Sequence, residues 1–487
     1  MSKNDTKKIE REEYNLPKVI FLATVAAIGG FLFGFDSGVI NGTVDALQLS
    51  FNSDAATTGF NVASVLLGCA VGAFSAGTLA DKYGRKPMMV VTAFLFIVSA
   101  LGSGLATGSL EFVIYRLLGG FAVGAASILA PAYISEIAPA KIRGSLATLQ
   151  QLMIVIGLFA AFMSNYWLVG MSSGASEVLW GEFQTWQWMF WMEVIPASIF
   201  LIVLFFIPES PRYLVAAGKS ELAKTVLAKI SNLKAAAAKV IDIKSTLREG
   251  SKPKLTDVIS KYTNKVHPLV WAGLGLAVLQ QLTGINVIFY YGATLWKAAG
   301  FTEADALLTN VISGSVNIFF TIVAIILVDK LGRKPLLLIG SLGQAIMLGV
   351  LAFIFTSASL DANGNLMLSE SVGVYALVSA NLYIAFFALS WGPVMWVMLG
   401  EMFPNQFRGA ALALCGLAQW LANFGITMTF PIMLKNLGLG VSYGVYAFFG
   451  IVAYFFVKFF IKETKGRSLE DMSREQDEED RNSVVTN

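Results

Sequence analysis

The sequence repeats two motifs, once in each half of the chain. Residues 81–87 and 329–335 share the pattern Asp-Lys-x-Gly-Arg-Lys-Pro. Residues 136–144 and 401–409 share the pattern Glu-x-x-Pro-x-x-x-Arg-Gly, and apolar stretches surround every copy. Because the order of the motifs is the same in both halves, we infer a duplicated membrane unit. Two such halves around a central site are the architecture of a membrane carrier.

Composition assigns the chain to the lipid bilayer. Of its 487 residues, 56% are hydrophobic and 14% are charged, whereas soluble domains carry about 25% charge. An apolar run of about 20 residues can cross roughly 30 Å of hydrocarbon. Such runs lie at about 18–40, 57–80, 88–106, 112–134, 148–170, 188–207, 269–296, 306–328, 335–356, 373–399, 409–431 and 440–461. We therefore predict an all-α membrane protein, with twelve transmembrane helices in two six-helix halves, 18–210 and 269–461.

Lysine and arginine are concentrated in alternate loops, which predicts the orientation of the chain. The basic loops include the N-terminal segment 1–17, the linker 211–268 and the C-terminal segment 462–487, so we expect all three to be cytoplasmic in a plasma or inner membrane. This sidedness explains the net charge of +3 without a nucleic-acid partner. The linker has apolar residues at helical spacing, which predicts short amphipathic helices under the bundle rather than a soluble regulatory domain. The acidic tail is predicted to be disordered.

The repeated loops also bring acidic and basic residues together. Arginines of the motifs can pair with acids on neighbouring helix ends. The residues of this predicted cytoplasmic salt-bridge network are Arg85, Glu136, Arg143, Glu209, Arg333, Glu401, Arg408 and Glu463. We interpret the network as a latch that holds the halves together when the central site faces outward and breaks when it opens inward. The alternative is loop charge that serves orientation alone.

Taken together, the motifs resemble the sugar porter branch of the major facilitator superfamily. Pro-Glu-Ser-Pro-Arg at 208–212, Gln-Gln-Leu-Thr-Gly-Ile-Asn at 280–286 and Glu-Thr-Lys-Gly at 463–466 complete a match that covers the chain almost end to end. The resemblance implies the major facilitator fold and transport of monosaccharides by alternating access. Lys462 stands where the family usually has Pro, and Gln187 where it often has Arg.

Amides inside the predicted spans indicate a ligand site independently of the resemblance. Gln280, Gln281 and Asn286 lie in the seventh span, where a break near Gly284 would bring them together. An amide both donates to and accepts from a sugar hydroxyl, although buried amides also join helices. The resemblance maps sugar contacts onto Phe33, Gln151, Gln280, Gln281, Asn286, Asn317, Phe387, Trp396, Gln419 and Trp420, and a gate onto Tyr290 and Tyr291. Leu158 stands where the bacterial xylose–proton symporter type of the family has a further amide; this change resembles the glucose uniporters and favours a hexose.

Asp36 is an ionisable residue at membrane depth, and such residues are functional by default. Its expected partner is Arg116 in the fourth span, and protonation of Asp36 would weaken that pair. In the sugar porter family that the sequence resembles, proton-coupled members usually have Asp at this position, whereas facilitative glucose uniporters usually have Asn. Glu193 in the sixth span is a candidate helper in proton relay. The alternative is a structural ion pair that does not titrate during transport.

The sequence contains no pattern typical of an enzyme. His267 is the only histidine, so a metal cluster or a histidine-based triad is not expected, and the sequence lacks a phosphate-binding loop for ATP. Residues 41–43 match the pattern of an N-glycosylation acceptor. The leading hypothesis is a monomeric, cofactor-free, proton-coupled monosaccharide importer. The alternatives are a facilitative uniporter and a transporter-like sugar receptor, which the short tail disfavours.

Overall fold

The computed structural model describes residues 15–139, 142–249, 255–259, 265–360, 366–404 and 407–465. The first half contains α1 (Leu16–Val39), α2 (Val44–Ser50), α3 (Ala55–Tyr83), α4 (Arg85–Leu105), α5 (Ser109–Ile137), α6 (Arg143–Ser172), α7 (Thr185–Trp191) and α8 (Val194–Leu204). The linker contains α9 (Pro211–Ala216), α10 (Ser220–Ile230) and α11 (Leu233–Glu249). The second half contains α12 (Pro268–Leu282), α13 (Ile285–Ala298), α14 (Glu303–Leu331), α15 (Arg333–Ser357), α16 (Glu370–Leu389), α17 (Pro393–Met402) and α18 (Arg408–Phe460).

Two short antiparallel hairpins complete the fold. In the first half, β1 (Val178–Trp180) pairs with β2 (Phe183–Gln184). In the second half, β3 (Ser359–Leu360) pairs with β4 (Leu366–Met367). Both hairpins connect membrane helices, so the bundle itself is entirely helical.

The number of membrane crossings agrees with the prediction of twelve. Within the described residues, 11 helical stretches are long and apolar enough to cross a membrane. The last of these, α18, has 53 residues and would be about 80 Å long as one straight helix, far more than the roughly 30 Å of hydrocarbon. Gly438 breaks it with φ 77° and ψ 174°. The two parts of α18 are therefore separate spans, and the prediction of an all-α membrane fold is confirmed.

Local sequence signals explain where several helices begin. The side chain of Asp54 accepts a hydrogen bond from the backbone N–H of Thr57 at 2.8 Å, which caps the start of α3. In the repeated motif, Gly84 separates α3 from α4 with φ 106°, and Gly332 separates α14 from α15 with φ 97°. A left-handed conformation is readily adopted by glycine. The same turn therefore recurs in both halves because the same motif specifies it.

The helices approach one another closely through glycines. A Cβ on Gly34 of α1 would lie 1.9 Å from the backbone oxygen of Ile154 in α6. Small residues allow this kind of contact between membrane helices. Between the halves, α3 packs on α18 and α6 packs on α14, while α1 also contacts α13. Five of the helices that carry predicted site residues therefore meet at the interface between the halves: α1, α6, α13, α14 and α18.

The linker folds as the predicted short helices, but only half of the predicted apolar face is buried. Val226 and Ile230 are buried, whereas Leu222 and Leu233 are 51% and 69% exposed. The backbone N–H of Asn15 donates to the oxygen of Ile230 at 2.9 Å, so the start of α1 rests on the end of α10. The position of these helices at a membrane surface stays a prediction. Most of the acidic tail, from residue 466 onward, lies outside the described residues.

Candidate functional site

The first site centres on a buried ion pair in the first half. Asp36 lies on α1 and Arg116 on α5. Arg116 Nη1 donates to Asp36 Oδ1 at 2.6 Å, and Nη2 donates to Oδ2 at 3.2 Å. The exposed fraction of each side chain is 1%. The guanidinium also lies over the ring of Phe190, 5.7 Å from its centre. The structure therefore brings together the two residues that the sequence paired.

Glu193 lies beside this pair, between α7 and α8. It is 1% exposed, and it interacts electrostatically with both Asp36 and Arg116. Neither of its carboxylate oxygens has a hydrogen-bond partner within the described part of the chain. A buried carboxyl without a partner is costly when ionised. The arrangement is thus a paired acid, Asp36, with a second buried acid, Glu193, close enough to interact electrostatically with the pair.

The second site is a chain of amides at the break in the seventh span. Gly284, with φ 83°, separates α12 from α13. Gln281 Nε2 donates to Gln280 Oε1 at 3.0 Å, and Asn286 Nδ2 donates to Gln281 Oε1. Gln419 of α18 also donates to Gln280 Oε1, at 2.7 Å. The predicted break does bring these amides together, and Gln419 joins them from a distant part of the sequence.

Two aromatic residues adjoin the interface between the halves. The ring of Phe33 on α1 lies 5.8 Å from the ring of Trp420 on α18, centre to centre. Trp396 on α17 is 39% exposed, which leaves its indole face open to contact. Trp391, which sequence reasoning did not select, is fully buried, and its backbone oxygen accepts from Gln280 Nε2 at 2.7 Å.

The structure does not join the other predicted sugar contacts to the amide cluster. In the described residues, the side chains of Gln151, Asn317 and Phe387 make no hydrogen bond or ring contact with the amide cluster. Asn317 is 5% exposed, whereas Gln151 and Phe387 are half-buried. An amide side chain that is not satisfied by its neighbours is available to a ligand hydroxyl.

The two predicted gate tyrosines have different environments. The Tyr290 side chain is 4% exposed and lies near Ser37 of the first half and Asn423 of the second. The Tyr291 hydroxyl donates to the backbone oxygen of Thr427 at 3.0 Å, within the second half. Tyr290 is therefore the tyrosine that crosses the interface, one residue from Asp36.

The two repeated motifs form one rim of the bundle, here called the motif rim (residues 81–87 and 329–335). Arg85 Nη2 lies 3.0 Å from Asp81 Oδ1 and 3.0 Å from Glu136 Oε1. In the second half, Arg333 Nη2 lies 3.0 Å from Asp329 Oδ1 and 2.7 Å from Glu401 Oε1. Each of these clusters thus lies within a single half, so they do not join the halves in this conformation.

The two remaining acids of the network act differently from the prediction. Glu209 accepts from the backbone N–H of Arg85 at 3.0 Å, and Glu463 accepts from that of Arg333 at 3.1 Å. Helix starts leave unpaired N–H groups and a positive dipole end, which a carboxylate satisfies. Glu209 and Glu463 therefore cap α4 and α15 rather than bridge to an arginine side chain. Arg408 Nε donates to the oxygen of Phe403 at 3.2 Å, and the side chain of Arg143 lies outside the described residues.

The two caps differ in their protonation behaviour. Burial raises the pKa of Glu209 more than the N–H donors around it lower it. Burial also acts to raise the pKa of Glu463, but its backbone N–H donors outweigh that effect and the pKa is lowered. The matched positions of the two halves are therefore not equivalent electrostatically.

Sequence reasoning missed a polar cluster at the opposite rim of the bundle. Asn41, singled out for its glycosylation pattern, is 1% exposed and bonds to the second half. Its burial is incompatible with a glycan at this position in this conformation. Asp45 and Lys297 form an ion pair at 2.7 Å across the same interface. No local signal distinguishes these residues, because their partners lie in the other half.

The fold and these sites define a multi-pass membrane transporter with two structurally matched halves. A sequence model of the family described as "Sugar (and other) transporter" matches residues 22–475. The chain therefore belongs to the sugar porter family of the major facilitator superfamily, a family of transporters and not of enzymes.

Similar proteins cover the chain almost completely. The "Glucose transport protein" of Synechocystis sp. is 49% identical over 460 residues, which span 94% of this chain and 97% of that protein. The "D-xylose-proton symporter" of Escherichia coli is 38% identical over 492 residues, 94% of this chain and 96% of that protein. The inward-open conformation of the Escherichia coli xylose transporter superposes with a TM-score of 0.79 at 38% identity, over 94% of this chain and 99% of that chain.

Proposed function

We propose that this transporter imports a monosaccharide, a hexose such as glucose, together with protons by alternating access. The observation that carries the proposal is the buried Asp36–Arg116 pair with the unpartnered Glu193 beside it. Arg116 can hold Asp36 ionised, while burial without a partner favours the protonated form of Glu193, so a proton can pass between the two acids when the pair loosens. A relative from Escherichia coli is named a D-xylose-proton symporter, which supports coupling.

The amide cluster supports a hydroxyl-rich substrate. Gln280, Gln281, Asn286 and Gln419 already exchange hydrogen bonds among themselves. A sugar can replace some of these bonds with bonds to its hydroxyls at little cost, because amides offer donors and acceptors alike. In this proposal Phe33, Trp396 and Trp420 contact the apolar faces of the sugar ring.

Two further observations favour glucose over xylose. Leu158, at the position where xylose-transporting members have an amide, is buried with 6% exposure and offers no hydrogen bond. The relative from Synechocystis sp. is named a glucose transport protein. We infer a pocket whose polar contacts are fewer on the side of α6 and come chiefly from the second half.

Tyr290 offers a physical link between the two sites. Its side chain lies near both Ser37, the residue after Asp36, and Asn423, on a helix that carries sugar-site residues. A shift of α1 on protonation of Asp36 would move Ser37 relative to the Tyr290 side chain. In this proposal Tyr290 transmits the protonation state to the gate segment of α13, with Tyr291 holding that segment to the second half.

The proposal includes the arrangement of the whole protein in its membrane. The protein is a monomer. Its two halves, 18–210 and 269–461, rock about the central site. The segments 1–17, 211–268 and 462–487 face the cytoplasm, so the motif rim is cytoplasmic and the rim with Asn41 is outside. In the opposite, outward-facing state, the acids and arginines of the motif rim would pair across the halves as the predicted latch.

The test is transport in reconstituted liposomes with an imposed inward proton gradient. Uptake of labelled hexoses and pentoses would be followed with and without a protonophore. We expect glucose to accumulate above equilibrium, and we expect the protonophore to abolish that accumulation. Equilibration at the same rate with or without the gradient would instead establish a facilitative uniporter with a structural Asp36–Arg116 pair. The absence of flux for every sugar, with binding retained, would favour a receptor.

A further inference from the structure

Asn41 makes a set of hydrogen bonds that all cross from the first half to the second. Its Nδ2 donates to the backbone oxygen of Phe289 at 2.9 Å. Its Oδ1 accepts from the backbone N–H of Ala293 at 3.1 Å and from Asn310 Nδ2 at 2.7 Å. Asn41 and Asn310 are 1% and 2% exposed. One buried amide thus holds two helices of the other half, α13 and α14.

An ion pair lies at the edge of the same cluster. Lys297 Nζ lies 2.7 Å from Asp45 Oδ2, and Thr294 Oγ1 donates to Asp45 Oδ1 at 2.8 Å. These side chains are about one-third exposed, at 35% for Lys297 and 32% for Asp45. The end of α13 is therefore fastened to α2 by an interaction that solvent ions can reach.

The packing at this rim leaves no room for a larger side chain. A Cβ on Gly292 would lie 2.3 Å from Asn310 Oδ1 and 2.8 Å from Asn41 Nδ2. Gly292 lies on α13 one turn from the bonded backbone of Phe289, so the amides lie directly on the helix surface. The close approach explains how two short side chains can bridge the halves.

We propose that Asn41, Asn310 and the Asp45–Lys297 pair form a clasp that holds this rim shut while the central site opens at the motif rim. At the motif rim the clusters of Arg85 and Arg333 lie within their own halves, whereas the clasp bonds cross between the halves. One helix, α13, carries Asn286 of the amide cluster in its first turn and Lys297 in its last turn. The clasp residues are positioning residues, because they act on the orientation of α13 and do not contact the amide cluster.

The test measures the opening of the rim directly. Spin labels would be placed at Leu49 and Leu437, which are 72% and 53% exposed and lie in different halves. Distance distributions would be recorded by pulsed electron paramagnetic resonance in nanodiscs without sugar or a proton gradient. In the parent protein we expect one short distance. Asn41→Ala should raise the ratio of open to closed molecules about tenfold or more, because three buried hydrogen bonds are lost.

A glycine substitution and a charge swap separate the clasp from a general loss of stability. Gly292→Ala should open the rim by steric displacement of both amides, with every clasp side chain still present. Asp45→Lys and Lys297→Asp should each lengthen the distance, and the two together should restore it. The matched control is Asn61→Ser, since Asn61 is equally buried but bonds to Ser109 within the first half.

The outcome decides the proposal without reference to substrate or coupling. A longer distance in the Asn41 and Gly292 variants, with the control unchanged, would establish the clasp even if the protein proved to be a uniporter. An unchanged distance in folded Asn41→Ala and Gly292→Ala protein would overturn it. If the double variant Asp45→Lys with Lys297→Asp did not restore the short distance, the ion pair would not be part of the clasp.

Discussion

Arg116 holds the Asp36 carboxylate through two parallel hydrogen bonds, at 2.6 Å and 3.2 Å, with both side chains 1% exposed. Two-point contact between arginine and a carboxylate adds geometric specificity to the charge attraction. Because the pair lies far from water, removal of one member leaves the other as an uncompensated buried charge. The pair therefore couples the orientation of α1 to that of α5, and protonation of Asp36 weakens the contact between the two helices.

Asp36→Asn is expected to abolish proton-driven accumulation while sugar exchange across the membrane persists. Asparagine keeps the shape of the side chain and a hydrogen-bond acceptor, but it cannot take up a proton. The measurement is uptake into liposomes with a proton gradient, set beside counterflow without one. Accumulation at the parent level in Asp36→Asn would show that the proton is carried elsewhere.

Arg116→Leu is expected to reduce the free energy of unfolding by about 3–5 kcal/mol, because Asp36 is then buried without a partner. The double variant with Asp36→Asn should recover much of that loss, since the side chain at position 36 is then no longer an unpaired buried charge. Thermal unfolding in detergent measures both effects. Equal stability of Arg116→Leu and the double variant would contradict the assigned pairing.

Gln281→Ala is expected to weaken sugar binding by about 1 kcal/mol or more, because it removes one member of the amide chain and leaves Asn286 without its acceptor. Gln281 both donates to Gln280 and accepts from Asn286. Isothermal titration with glucose would measure the change. The control is Gln344→Leu, which removes a fully buried amide of the same half that lies outside the cluster. If Gln281→Ala bound glucose with the affinity of the parent protein, Gln281 would not be part of the sugar site.

Two tryptophans five positions apart are expected to respond oppositely to truncation. Trp391 is fully buried, and its Nε1 donates to Ser341 Oγ at 2.9 Å. Trp391→Ala should therefore reduce stability by about 3–5 kcal/mol. Trp396 is 39% exposed, so Trp396→Ala should leave the unfolding temperature nearly unchanged and weaken sugar binding by about 1 kcal/mol or more. Unaltered sugar affinity in Trp396→Ala would place its indole outside the binding pocket.

The helix caps Glu463 and Glu209 are expected to give opposite dependence of stability on pH. Since the folded pKa of Glu463 is lowered, its stabilisation is present above the unfolded pKa and is lost as pH falls through the folded one. Glu463→Gln should thus cost about 0.3–1 kcal/mol at pH 7, and the difference from the parent should vanish in acid.

Since burial raises the folded pKa of Glu209, the stabilisation from its protonated form is present below the unfolded pKa. It is lost as pH rises through the folded pKa. Glu209→Gln should therefore be neutral or stabilising at pH 7 and lose that advantage on acidification. Unfolding temperatures between pH 4 and 8 for both variants would check the signs. Parallel pH profiles would show that the two caps are electrostatically equivalent after all.

Much of the site could be predicted, but not how its parts connect. Asp36 and Arg116 could be paired in advance because opposite charges inside apolar spans have few alternatives. Gln280, Gln281 and Asn286 could be grouped because they are close in sequence around Gly284. The contact of Gln419 with Gln280 could not be derived from spacing, because it depends on how α18 docks against α12. The role of Asn41 in joining the halves could likewise not be predicted, since its hydrogen-bond partners lie in the other half.

The sequence by itself determined the class of the protein, its twelve spans and the two matched halves, because hydrophobic length and repeated motifs are local properties. It also determined which polar residues lie at membrane depth. The tertiary structure alone decided that Glu209 and Glu463 cap helices, that Tyr290 reaches Ser37, and that Asn41 bridges the halves. These contacts depend on side-chain direction and on the rigid-body position of one half against the other. Neither property is encoded in the periodicity of a single span.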